Sequence, residues 1–213
     1  TIGDLARSDE SFLRQKFGIR GESAWHCANG DEHEPVRPYH EHRESKSIGN
    51  SITFRRDLVG KRDIQLGFTA LAESVSERMR RHGVHCRTVQ IQIRDPAFHT
   101  ISRQVTLERS VSLSRELTDT AMALAAHCWD FSKPVRLLAL TAEQLIPIEQ
   151  DAEQLTLFPD AAAPAREKQG RLEDTLSSIR GKYGKGSIQL GSFLGNDLGL
   201  GGSGNKLEND ETD

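Results

Sequence analysis

Three cysteines, Cys27, Cys86 and Cys128, are all that the 213 residues contain, and no two of them form a CxxC pair. So few, so widely spaced and odd in number, they argue against a disulfide framework and fit reduced thiols in a cytoplasmic protein. Each follows a histidine (His26, His85, His127). Side chains of adjacent residues diverge on a helix or strand, so these pairs give no metal-ligand spacing and no metal site is expected. Apolar runs are short as well. None approaches the ~18 residues of a membrane span, and no signal peptide opens the chain, so no membrane partner is expected. Position 1 is Thr rather than Met, and the chain reads as a piece of a longer protein.

Charge of one sign is also lacking overall, the net being −3, but it is unevenly spread. Residues 1–43 carry a net of −2, residues 44–147 a net of +4 and residues 148–213 a net of −5. A modestly basic middle between acidic ends is compatible with a nucleic-acid surface. At this length the chain can bury a real core in one large domain or two small ones.

The first thirty residues alternate helical pieces with glycine turns. Thr1 suits the N-cap of a helix over "TIGDLARSD". Gly18 and Gly21 flank Ile19 and Arg20 in a G-h-x-G turn, the pattern of a helix-hairpin-helix, whose backbone N–H groups can approach a phosphate without reading sequence. "DEHEPVRPYHEHRESK" has two prolines and no period, and reads as a linker with solvated histidines.

From Ser45 the period is that of a packed domain. "KSIGNSITF" sets Ile48, Ile52 and Phe54 on one side of a strand. Ile64, Phe68, Leu71, Ala72, Val75 and Met79 then mark an amphipathic helix. "RTVQIQIR" alternates Val89, Ile91 and Ile93 with Thr88, Gln90, Gln92 and Arg94. Asp95-Pro96-Ala97 makes a turn into the strand "HTISRQVTLE". Leu113, Leu117, Ala121, Leu124, Ala125 and Cys128 predict a second helix, and "PVRLLALTAEQL" a fourth strand. The order β-α-β-β-α-β predicts an α+β fold: a four-stranded, largely antiparallel sheet with both helices on one face. Its open face would carry Arg94, Ser102, Gln104 and Thr106. Arg103 has the parity of Ile101, Val105 and Leu107, so either a bulge re-aims it or it lies beyond the packed core.

After Pro147, "EQLTLFPD" places Leu155, Leu157 and Phe158 among acids, alanines and prolines, with no core periodicity on either flank. Such side chains either fold back onto their own domain or await a partner. An amphipathic helix follows on Leu172, Leu176 and Ile179. The glycine- and acid-rich residues 191–213 read as disordered.

In chain order, "TIGDLA", "FGIRGESAWHCANGDEHEPVRP", "KSIGNSITF", "SRQVTL", "VRLLAL" and "QLTLF" resemble the C-terminal half of Y-family translesion DNA polymerases, the bacterial DNA polymerase IV group above all. The resemblance implies a partial thumb at 1–32, a linker at 33–44 and a DNA-binding little finger at 45–147. A tether at 148–170, a helical segment at 171–190 and a tail at 191–213 complete the division. It implies that Lys46, Ser47, Ile48 and Gly49 meet phosphates, that Arg103 grips one, and that Thr1 to Gly3 begin the second hairpin helix of the thumb. Gln154, Leu155, Leu157 and Phe158 match the pentapeptide that docks on the bacterial sliding clamp. The implied partners are a primer–template duplex, gripped without sequence preference, and that clamp, with the fragment itself a monomer.

The family's chemistry needs carboxylates holding two metal ions, Mg²⁺ for the parent enzyme. Asp57, Asp63 and Asp95 have no pairing logic. No catalytic residue and no bound cofactor are therefore expected in this stretch, and alone it should be inactive. A stand-alone adapter tethering DNA to a clamp is the alternative. An RNA-recognition module shares the element order but needs stacking aromatics on its central strands, and "VQIQIR" and "ISRQVTL" have none.

Overall fold

Thr1 accepts a hydrogen bond from the Asp4 backbone N–H at 3.2 Å, and Asp4 reaches back to the N-cap backbone. This capping box starts α1 (Ile2–Ala6), which leads into α2 (Glu10–Phe17) and α3 (Ile19–Asn29). The computed structural model describes residues 1–31, 45–151 and 163–200, and the chain divides into two units, Thr1–Glu44 and Ser45–Asp213. In the first, Gly18 (φ +65°) turns the chain between α2 and α3. Gly21 is buried because a Cβ there would stand 2.2 Å from the Leu13 carbonyl oxygen, so only glycine lets the two helices come this close. Trp25 Nε1 donates to the Ser8 carbonyl at 2.9 Å and ties α3 to the start of α2.

The second unit contains β1 (Ser47–Leu58), α4 (Lys61–Arg81), β2 (Val84–Arg94), β3 (Thr100–Val111), α5 (Ser114–Cys128) and β4 (Val135–Pro147). The expected β-α-β-β-α-β order is what forms. The strands lie in the order β1-β4-β2-β3, with every pairing antiparallel. Ile64, Phe68, Leu71, Ala72, Val75 and Met79 of α4 are completely buried, as their spacing requires. They meet Ile48, Ile52, Phe54, Val89, Ile91, Ile93, Leu138 and Leu140 from the sheet, and Leu117, Ala121 and Ala125 from α5. Both helices thus cover one face, and the other is left open.

The C-terminal region departs from the sequence reading in three ways. Chain order continues past β4 through a short 3₁₀ turn to Asp151, and α6 (Ala163–Tyr183) begins earlier than position 171. Its packed face centres on the buried Glu173 rather than on Leu172, which is 51 % exposed, while Leu176 and Ile179 are half-buried. Residues 191–200, expected to be disordered, are folded onto the core, where Phe193, Leu198 and Leu200 are buried. Asn196 holds that turn, its Oδ1 accepting from Leu198 N at 3.0 Å and Leu200 N at 3.1 Å. Arg56 then clamps Asp197 with two hydrogen bonds of 2.6 and 2.7 Å. Glycine-rich composition hid three apolar residues whose burial is non-local.

Candidate nucleic-acid interface

The antiparallel register sets the open face out in four cross-strand rows. Ser47, Glu143, Thr88 and Thr106 form one, and Gly49, Thr141, Gln90 and Gln104 the next. Ser51, Ala139, Gln92 and Ser102 follow, then Thr53, Leu137, Arg94 and Thr100. Side chains on this face bond across strands: Thr88 Oγ1 to Thr106 Oγ1 at 3.0 Å, Gln90 Nε2 to Gln104 Oε1 at 3.3 Å, and Arg94 Nε to Thr100 Oγ1 at 2.9 Å. Hydroxyls and amides therefore dominate this face, which carries one arginine and one glutamate and on which Thr88 is buried at 2 % exposure. Such groups can meet phosphate oxygens.

The structure brings Ser47, Gly49, Arg94, Ser102 and Gln104 onto this one face. Gly49 keeps it open near the β1 edge, because a Cβ there would stand 2.6 Å from Thr141 Oγ1. Ile48 turns into the core at 2 % exposure, which leaves only its backbone to act outside. Lys46 is exposed just before β1. Arg103 stands apart. β3 keeps regular register with β2 from Thr100 to Thr106, so no bulge re-aims it, and it pairs with Ile91 on the helix side of the edge strand. There its Nη1 donates to the Ser102 carbonyl at 2.8 Å. Burial raises the Cys128 thiol, an effect that the Arg103 charge partly offsets. Thr1, Gly3, Gly18 and Gly21 belong to the other unit. Gln154, Leu155, Leu157 and Phe158 lie outside the described residues.

Sequence reading missed what β4 contributes. Leu137, Ala139, Thr141 and Glu143 have no clean alternation, since a central strand with apolar residues on both faces hides its parity. It also missed the β1 edge contacts, in which Arg78 donates to the Gly49 carbonyl at 2.9 Å and Asn50 Nδ2 donates to Ser74 Oγ at 3.1 Å.

Among the described residues, the carboxylates do not fit a two-metal polymerase centre. Asp57 faces Arg136 at 3.7 Å, Asp63 faces Arg56 at 2.6 Å and Asp95 faces His99 at 3.1 Å, so each already has a partner. Among the described residues, three ligand-type groups gather only at Glu10, Glu22 and His26. That cluster is already engaged by other charges: Arg14 lies 3.4 Å from Glu22, and His26 stands between Glu10 at 3.7 Å and Asp31 at 3.8 Å.

Comparison with known proteins points the same way as the open sheet. The model of the impB/mucB/samB family C-terminal domain matches residues 45–157. DNA polymerase IV of Acetivibrio thermocellus is 37 % identical over 201 residues, covering 94 % of this chain and 49 % of that protein. DNA polymerase IV 1 of Halalkalibacterium halodurans is 36 % identical over 198 residues, 91 % of this chain and 46 % of that protein. DNA polymerase IV 1 of Bacillus subtilis is 34 % identical over 197 residues, with the same two coverages. The chain spans about half the length of the curated relatives it matches, and aligns with their C-terminal half. It belongs to the impB/mucB/samB family, of which it carries the C-terminal domain.

Proposed function

We propose that this chain is the DNA-gripping and clamp-docking half of a translesion DNA polymerase. The observation that carries the reading is the open sheet face, a field of hydroxyls and amides with the helices packed away behind it. The family match over the same residues supports it. A damage-bypass enzyme must hold duplexes of any sequence, and contacts to the phosphate backbone do that without base readout. Lys46, Ser47, the Ile48 backbone, Gly49, Arg94, Ser102 and Gln104 supply those contacts. Arg103 reaches phosphate from the edge of β3, and the hairpin turn at Gly18 and Gly21, with Thr1 and Gly3, adds a second hold.

Nucleotidyl transfer, with its Mg²⁺ ions, is assigned to the remainder of the parent polymerase, since the chain spans about half the length of the curated relatives it matches. Gln154, Leu155, Leu157 and Phe158 dock on the bacterial sliding clamp, the glutamine at the pocket rim and the apolar side chains within it. The fragment acts as a monomer in the cytoplasm; among the described residues no helix is long and apolar enough to cross a membrane. A stand-alone adapter that tethers DNA to the clamp would use the same surfaces. The sequence upstream of Thr1 separates the two, since paired acidic residues of a palm belong only to the polymerase. Fluorescence anisotropy of a labelled primer–template duplex tests the DNA reading, which fails if the chain does not bind.

A further inference from the structure

Asp95 closes the β2–β3 hairpin through a dense set of bonds. Its N–H donates to the His99 carbonyl at 3.0 Å, and its carbonyl accepts from Phe98 N at 3.1 Å. Its Oδ1 accepts from His99 N at 2.9 Å, and its Oδ2 meets the His99 ring at 3.1 Å. Burial pushes the Asp95 carboxyl up, but these His99 bonds outweigh it and the group sits below its ordinary value. The turn so fixed forces Phe98 to φ +67°. A phenylalanine in the left-handed region is strained where glycine or asparagine would not be. Phe98 is nonetheless the most exposed aromatic among the described residues, at 73 %. The fold thus holds an aromatic ring out in water, on a strained and tightly fixed backbone, and gains no burial from it. The hairpin tip directly continues the last row of the open face, where Arg94 pairs with Thr100.

We infer that Phe98 is an apolar contact to the DNA lying on the open sheet, its ring packing against sugar and base edge beyond the phosphates that Arg94 and its neighbours hold. This rests on the open face being the DNA interface. A ring on a fixed turn loses little freedom on contact, and every nucleotide offers it an apolar surface, so the contact needs no particular sequence. It would complement the polar rows by adding affinity that salt does not screen.

The test is anisotropy of a labelled primer–template duplex against the 213-residue chain across a range of salt, with thermal melting of each variant alongside. Phe98→Ala should weaken binding about fivefold or more and leave the salt slope unchanged, because no charge is removed. Phe98→Gly should lose the same affinity while melting at or above the wild-type temperature, since glycine relieves the positive φ. Phe98→Trp should bind as the wild type does. Wild-type affinity in both Phe98→Ala and Phe98→Gly would overturn the inference and leave the DNA interface standing. A loss that tracks a fall in melting temperature in both variants would also overturn it, in favour of a structural role. If the wild-type chain itself fails to bind the duplex, the interface reading falls and the inference falls with it.

Discussion

Glu173 of α6 accepts hydrogen bonds from the Ser114 backbone N–H at 3.1 Å and from its hydroxyl at 2.7 Å, capping the start of α5 from 59 residues away. The same carboxylate takes Ser76 Oγ at 3.1 Å and Arg80 at 2.6 Å. A buried charge is stable only when partnered in this way. Here the partners come from α4 and α5, the helices that back the open face.

Removing that carboxylate should therefore be costly. Glu173→Ala leaves Arg80 and the Ser114 N–H without their shared partner, and should destabilise the chain by about 3 kcal/mol. Glu173→Gln, which keeps an acceptor, should cost about half as much by the same reasoning. Urea midpoints compared at constant slope measure both. A loss below about 0.5 kcal/mol for the alanine variant, the size of an ordinary surface change, would mean that α6 is not anchored there.

The Arg56–Asp197 clamp should make stability fall in acid. Hydrogen bonds from Arg56 are the main cause holding the Asp197 carboxyl below its ordinary 3.8, against a small opposing effect of burial. A carboxylate whose pKa is lowered on folding stabilises above its unfolded value and loses that contribution as pH falls through the lower folded value. Wild type should thus exceed Asp197→Asn in urea midpoint at pH 6, and the difference should shrink steadily below pH 3.8. A constant difference across that range would show that the carboxylate charge plays no part.

Thiol chemistry should report burial. Cys27 is exposed and Cys128 partly so, while Cys86 is buried, its thiol pushed up to about 12 by burial and by the Glu116 charge. Thiolate is the reactive form. Alkylation at pH 8 followed by peptide mapping should label Cys27 first and Cys128 more slowly, with Cys86 labelled only after unfolding. Early labelling of Cys86 would contradict the sheet core as drawn.

The clamp motif should be separable from the fold. If Leu157 and Phe158 are the clamp anchors proposed above, changing both to alanine should abolish calorimetric binding to a bacterial clamp ring, since such anchors cost about 2–4 kcal/mol each. The same double change should shift stability by less than about 0.5 kcal/mol, as a surface site does. A marked drop in melting temperature would mean that these side chains are structural.

How much of this was legible in the sequence depended on whether a signal was local. Val89, Ile91 and Ile93 against Gln90 and Gln92 announce a half-buried strand, and the α4 positions a helix, because both periods are written in neighbouring residues. Arg103 was ambiguous, since parity alone cannot tell a bulge from an exposed edge; the unbroken β2–β3 register decides it. Glu173 was invisible because its partners Ser76, Arg80 and Ser114 are far away in sequence. Phe193, Leu198 and Leu200 were masked by the glycines around them, and their site exists only once the core has formed. Phe98 gave no signal, since its strain belongs to the turn that Asp95 closes.

The most direct test of the central claim is the salt dependence of DNA binding by the wild-type chain, on two duplexes of unrelated sequence. With Lys46, Arg94 and Arg103 each neutralising a phosphate, log K should fall with log salt at a slope near −3, alike for both duplexes. Arg94→Ala should flatten that slope by about one unit on each. No measurable binding, or a slope near zero, would contradict the account. So would an affinity that differs more than about tenfold between the two sequences, the kind of discrimination that requires base readout.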